Sequence, residues 1–210
     1  MITLYIETNF LIGFAKNQDQ ESTALVRMIQ DSGFPNTDSI KVVIPSICCM
    51  ESFSVLEDER RRRNNFESNL SRQIQELKGN IESRHSREII QSLQNANYHN
   101  DQMADEIKNR LFQVLDWVAS YVELIELTSS ILQKSLDTIL ISDETDNLIL
   151  HCILNHAKAS PDDNKVLLSG NSRDFGTKEI KQVLKEAGIQ KYVASTKDFL
   201  GWLSAISSSD

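Results

Sequence analysis

Apolar residues open the chain as a block from Ile2 to Ile6, rich in β-branched and aromatic types, which predicts a buried strand. Thr8 and Asn9 supply a cap-like turn, after which Phe10, Leu11, Ile12 and Phe14 begin a helical spacing. A second helix is expected from Gln20 to Gln30, ending near Ser32-Gly33. Lys41 to Ile44 reads as a second short strand, closed by Pro45, with Ser46 as the cap of the next helix. From Ile47 to about Asn97 the chain is helical in composition and increasingly polar, with breaks expected at Gly79-Asn80 and at Asn95 to Asn100. Asp101 to Tyr121 is another amphipathic helix, with Met103, Leu111, Phe112, Leu115 and Trp117 expected to face the core. Val122 to Leu127 is a third strand, Thr128 to Leu136 a short helix, and Ile139 to Ile141 an apolar run. Asp143-Glu144-Thr145-Asp146 opens a helix to about Ala157. Lys165 to Ser169 is a fourth strand, Phe175 to Ala187 a helix, Tyr192 to Ala194 a last strand and Thr196 to Ile206 a closing helix.

Strands alternating with helices predict an α/β fold around a mostly parallel sheet. The whole chain, 1–210, is expected to form one domain, with the helices at about 57–120 as an inserted arm. Only 7 Gly and 3 Pro occur, which argues against a disordered or fibrous chain. The longest apolar run falls far short of a membrane span, and Glu7 and Asn9 interrupt the N-terminal run without a preceding basic segment, unlike a signal peptide. These features predict a cytoplasmic protein with no membrane partner. Cys48 and Cys49 are adjacent and Cys152 is distant, a spacing that fits reduced thiols packed in the core. His85, His99, His151 and His156 form no zinc pattern. The net charge of -8 does not exclude nucleic acid, because local patches govern phosphate contact.

In parallel α/β sheets, ligands bind beyond the carboxyl ends of the strands. Glu7 ends the first strand, and Asp174 follows the fourth after the loop Ser169-Gly170-Asn171-Ser172-Arg173. Glu51 lies early in the helix after the second strand, and Asp146 lies in the first turn of a late helix. Four acids can therefore converge at one end of the sheet. Such a cluster repels itself unless cations fill it, and its hard oxygen donors suit Mg²⁺ or Mn²⁺. Carboxylate-held divalent ions activate water and stabilise charge in phosphodiester hydrolysis. Each acid alone is more often a turn or cap residue, and acids in a first helical turn also suit the helix dipole.

The motifs resemble those of PIN domains. Tyr5-Ile6-Glu7-Thr8-Asn9-Phe10-Leu11-Ile12 is similar to the family's opening, where a strand ends in Asp-Thr-Asn or Asp-Ser-Asn. Pro45-Ser46-Ile47 to Glu51 resembles its second motif, Asp146-Asn147-Leu148-Ile149 its Asp-Ala-Leu-Ile motif, and Leu167 to Phe175 its strand followed by Asn-x-x-Asp-Phe. The resemblance covers about 1–56 and 120–205. It implies a three-layer α/β/α sandwich and a hydrolase, a single-strand-specific endoribonuclease using Mg²⁺ or Mn²⁺. Many small members of the family are toxins of toxin–antitoxin pairs, so a toxin or defence effector with an antitoxin or other protein partner is implied. Carried over by position, Glu7, Asp146 and Asp174 are metal ligands, and Glu51 binds metal or positions the attacking water. Thr8 would hold the first acid or a bound water, Asn9 would order the turn, and Asn171 would contact the cluster as a donor. Asp143 is a supplementary ligand or, more in keeping with its position, a helix cap.

The first position departs from the family, with Glu7 in place of Asp. The extra methylene displaces the carboxylate, and metal geometry tolerates little displacement. A natural variant with adjusted geometry, a weakened or inactive homologue kept for RNA or protein binding, and a substitution made on purpose are the three readings. A nucleotide- or phosphate-binding α/β protein is disfavoured, since no Gly-rich loop follows any expected strand. Arg60, Arg61, Arg62 and Arg63 are consecutive. They read either as a solvated helix balanced by Glu57, Asp58 and Glu59, as a phosphate-gripping arm, or as part of a homodimer or partner interface.

Overall fold

Three strands carry near-continuous apolar side chains because both of their faces are covered. They are β1 (Ile2–Ile6), β2 (Ile40–Pro45) and β4 (Asn164–Leu168) of a computed structural model that describes residues 1–31, 40–79, 82–160 and 164–207. Two three-residue strands, β3 (Glu123–Ile125) and β5 (Lys191–Val193), close the edges. The order is β3-β2-β1-β4-β5, and every neighbouring pair is parallel. β1 sits at the centre, with Ile2 opposite both Ile40 and Asn164. The chain builds outward from β1 to β3, then returns to place β4 and β5 on the other side. The sheet therefore changes direction between β1 and β4, the position at which such sheets open a ligand crevice.

Parallel strands need crossovers, and helices supply them. These are α1 (Thr8–Ala15), α2 (Ser22–Asp31), α3 (Ser46–Lys78), α4 (Arg84–Tyr121), α5 (Ser129–Asp137), α6 (Glu144–Ala159), α7 (Lys178–Glu186) and α8 (Thr196–Ser207). α1 to α4 pack as one group and α5 packs on α6, giving the α/β/α arrangement expected from sequence. α3 and α4 form a long antiparallel hairpin, in which Phe53 meets Phe112 and Arg63 meets Asn100. On the other side, Lys165 is buried with its ammonium donating to the carbonyls of Ala157 (2.8 Å) and Ser160 (3.0 Å), a cation placed on the C-terminal end of α6.

Several expected boundaries are corrected. No break occurs at Asn95 to Asn100, because α4 runs through it. The buried Asn100 amide is satisfied across the hairpin, accepting from Arg63 Nη1 (3.2 Å) and donating to the Arg63 carbonyl (3.3 Å), rather than competing for its own backbone. The core face of α4 is Ile107, Leu111, Val114, Trp117 and Val118, while Met103 and Phe112 are exposed. Phe112 follows Leu111 by one residue, about 100° around the helix. α7 begins at Lys178 rather than Phe175, because Thr177 caps it, accepting from the Ile180 amide. Ser46 is the first helical residue of α3, not its cap. The extended Pro45 still belongs to β2, paired with Ile125, and offers no side-chain cap. The expected ends at Ser32-Gly33 and at Asn80 lie outside the described residues.

Candidate active site

Glu7 leaves β1 and caps the helix that follows. Its backbone is extended, and its Oε2 accepts the Asn9 amide at 2.6 Å. The cap is thus Glu7 itself, where sequence had given that part to Thr8 and Asn9. The side chain is buried, and Oε1 has no hydrogen-bond partner among the described residues. Burial pushes its carboxyl up to about 7. The Asn9 amide and the Ser169 hydroxyl draw it down, while the charges of Asp146 and Glu51 add to the rise.

The other acids arrive from three further elements. Glu51 is one turn into α3, and its Oε2 accepts the Thr8 hydroxyl. The Thr8 side chain therefore holds Glu51 rather than the first acid. As the first residue of α1 it reaches α3, while the neighbouring Glu7 is held by a backbone amide instead. Asp146 stands in the first turn of α6. Burial pushes it up to about 6, and the charges of Asp143, Glu51 and Asp174 push the same way, against a hydrogen bond from Asn171. Asp143 caps α6, its Oδ1 accepting the amides of Thr145 and Asp146 at 3.0 Å each, in keeping with its expected cap role.

Asp174 and Asn171 sit on the turn after β4. The Asn171 side-chain amide donates to Asp146 Oδ2 and to Asp174 Oδ2, both at 2.8 Å, and its carbonyl oxygen accepts the Asp174 amide at 3.3 Å. A single neutral donor thus stands between two carboxylates. Gly176 keeps this turn closed, since a side chain there would collide with the Ser172 carbonyl.

Three neighbours carry no sequence signal of their own beyond position. Ser169, the residue after β4, is buried and accepts the Asn171 amide at 3.1 Å on its hydroxyl. Tyr192 donates its hydroxyl to the Ser169 carbonyl at 2.8 Å, and Cys48 is buried beside Thr8, Glu7 and Glu51, where burial pushes its thiol up. Ser169 could have been found by counting from the end of the fourth strand. The other two needed the packing.

The arginines divide. Arg63 turns into the hairpin, 3.0 Å from Glu59 and bonded to Asn100, and Arg61 lies 3.4 Å from Asp58. Arg60 and Arg62 are exposed, and neither forms a salt bridge among the described residues. Arg60 stands nine residues beyond Glu51, about 14 Å along the helix. Two of the histidines bond within the fold. His156 bonds the Tyr5 hydroxyl (2.9 Å) and Glu123 (2.8 Å), and His151 bonds the Thr138 carbonyl (2.9 Å).

Among the described residues, no group of three His, Cys, Asp or Glu side chains is already disposed to hold an ion. The donor set nevertheless suits a hard divalent cation. All four acids offer oxygen, Glu7 and Asp146 are pushed up by burial and neighbouring carboxylates, and one buried oxygen of Glu7 is without a partner. No described helix is long and apolar enough to cross a membrane. A family model for the PIN domain matches residues 4–175, a span that takes in the α3–α4 hairpin as well as the four acids up to Asp174. No curated protein and no solved structure matches the chain.

Proposed function

The chain belongs to the PIN-domain family, a family of nucleases that generally use divalent metals, and from that premise we propose that it is a Mg²⁺- or Mn²⁺-dependent endoribonuclease acting on single-stranded RNA. One observation carries the reading. Glu7, Glu51, Asp146 and Asp174 come from four separate elements near the point where the sheet changes direction, and there the charges of Asp146 and Glu51 act on Glu7 while those of Glu51 and Asp174 act on Asp146. Burial and neighbouring carboxylates raise both Glu7 and Asp146, and perturbed carboxyls of this kind cluster at functional sites.

Glu7, Asp146 and Asp174 would hold the cation, which when bound supplies Lewis-acid stabilisation of the phosphodiester and a more acidic water. Glu51 binds with them or accepts a proton from the attacking water, and Thr8 fixes its orientation. Asn171 holds Asp146 and Asp174 in register. The exposed Arg62, eleven residues after Glu51 and so on nearly the same face of α3, would meet phosphates of a strand crossing the acids, with the hairpin serving as an inserted arm. Arg60 lies on the opposite face of the helix. A toxin or defence effector of the cytoplasm, restrained by an antitoxin or other protein partner, is the biological setting that the family suggests.

A second reading has its own observation. One oxygen of Glu7 is held back on the Asn9 amide, which leaves a single oxygen for a metal and favours a weakened enzyme that binds RNA or protein. Cleavage of mixed single-stranded RNAs with Mn²⁺ or Mg²⁺ separates the two, comparing the native chain, Glu7→Asp and Asp146→Asn. We expect cleavage by the native chain and its loss in Asp146→Asn. Cleavage by Glu7→Asp alone would establish the weakened form, and no cleavage by either would remove the nuclease reading.

A further inference from the structure

The acids have a second flank, on the β4–β5 side of the sheet, that the proposed roles leave unused. A cleft of about 500 Å³ opens over the C-terminal ends of β4 and β5, between the turn joining α1 to α2 and the turn entering α8. Its inner wall adjoins the acidic cluster through two residues. Asn9, whose amide holds Glu7, lines it, as does Gly170, which lies between Ser169 and Asn171. Its volume falls in the range of small-molecule sites, roughly 300–1,000 Å³. That is room for a nucleotide.

The outer wall is chemically sorted. Lys197, on the α8 side, is exposed and forms no salt bridge among the described residues. On the α1–α2 side stand the exposed amides of Gln18 and Gln20 and the exposed carboxylate of Glu21. Asp19 belongs to the scaffold, since it accepts the Thr196 hydroxyl and the Glu21 amide (3.2 Å) and so ties the two walls together. A cation facing amide and carboxylate groups across a nucleotide-sized gap matches a phosphate at one end and a base edge at the other.

We propose that this cleft is the subsite for the unpaired nucleotide flanking the scissile phosphate, with Lys197 meeting a backbone phosphate and Gln18, Gln20 and Glu21 meeting the base edge. It rests on the ribonuclease reading for its substrate class, and it adds where that substrate lies. RNA then spans the C-terminal edge of the sheet from Arg62, across the acids, into the cleft. Selectivity among bases arises at the amide wall and strength of phosphate contact at Lys197.

Binding, not cleavage, tests this. Fluorescein-labelled 12-nucleotide single-stranded RNAs are titrated with the full chain in EDTA at several salt concentrations, and anisotropy is read. Lys197→Ala should weaken binding about 3- to 10-fold and flatten the salt dependence by roughly 0.7 in slope, the loss of one phosphate contact. Gln18→Ala with Gln20→Ala should alter the ranking among the four homopolymers while the salt slope stays. Lys158→Ala removes the same charge from the opposite end of α6 and should change neither. If Lys197→Ala behaves like Lys158→Ala and the ranking is unmoved, or if no RNA binds, the subsite is overturned. Because the readout needs no chemistry, the two proposals can fail separately. Binding through Lys197 without any cleavage would sink the nuclease and keep the cleft, and cleavage indifferent to Lys197 and the amides would do the reverse.

Discussion

Glu7 is asked to be neutral for the fold and charged for a metal. Its buried carboxyl is raised from an ordinary 4.5 to about 7, so between those values the folded chain keeps a proton that the unfolded chain has released. Stability from this group is therefore present below about 4.5 and lost as pH rises through about 7. Asp146, raised to about 6, acts in the same direction over a lower window. Glu59, held below its ordinary value chiefly by Lys16, acts oppositely, but only on the acid side of about 4.5. In EDTA between pH 5 and 8, the melting temperature should fall as pH rises. The Glu7 share is about 3 kcal/mol at most. Glu7→Gln should remove much of that slope and melt higher than the native chain at pH 8. An unchanged slope in Glu7→Gln would mean that the buried carboxyl is not what the pH acts on. The same residue explains what the sequence could and could not say of the site. Its place at a strand end was readable, as were Glu51, Asp146 and Asp174. That its own helix takes one oxygen was not, since a cap contact depends on a backbone turn that no spacing encodes.

At the scale of elements, hydrophobic period located nearly every strand and helix, and it failed where a polar residue found a distant partner. Asn95, Asn97 and Asn100 look alike in sequence, and asparagine is a poor helix former. Asn95 is exposed, whereas Asn100 is buried and bonded to Arg63 across the hairpin. Arg63 is in turn paired with Glu59, and Glu59 with Lys16 at the end of α1 (2.8 Å). This chain of contacts fastens the hairpin to the element that carries Thr8. Asn100→Ala should cost about 1–3 kcal/mol, since it strands a part-buried guanidinium. Asn95→Ala should be neutral or slightly stabilising through helix propensity. Denaturant midpoints distinguish them, and equal values would mean that the hairpin is held by its apolar contacts alone. The same reasoning accounts for Met103 and Phe112, whose hydrophobicity placed them in the core although the helix turns them outward. Leu111, next to Phe112, is fully buried.

For the molecule as a whole, the sheet decides what local patterns cannot. Residues 7, 51, 146 and 174 are far apart in the chain, and only the strand order brings β1 beside β4, with α3 and α6 opening at the same edge. The order was not readable from periodicity, which is blind to neighbours, and the cleft beside Asn9 follows from it too. One physical consequence belongs to the whole fold. A cation that binds the gathered acids binds only the folded chain, because the unfolded chain disperses them, so it must raise stability by mass action. At a hundred times its dissociation constant the gain is about 2.7 kcal/mol, or roughly 5–10 °C for a chain of this size. Mn²⁺ at pH 8 should therefore raise the melting temperature by that order, and Asp174→Asn should reduce the rise. At pH 5 the shift should shrink, since Glu7 and Asp146 then hold protons that the cation must displace. Equal shifts at both pH values, or a shift untouched by Asp174→Asn, would place the cation elsewhere on an acidic surface, and the convergence of the four carboxylates would then need another cause.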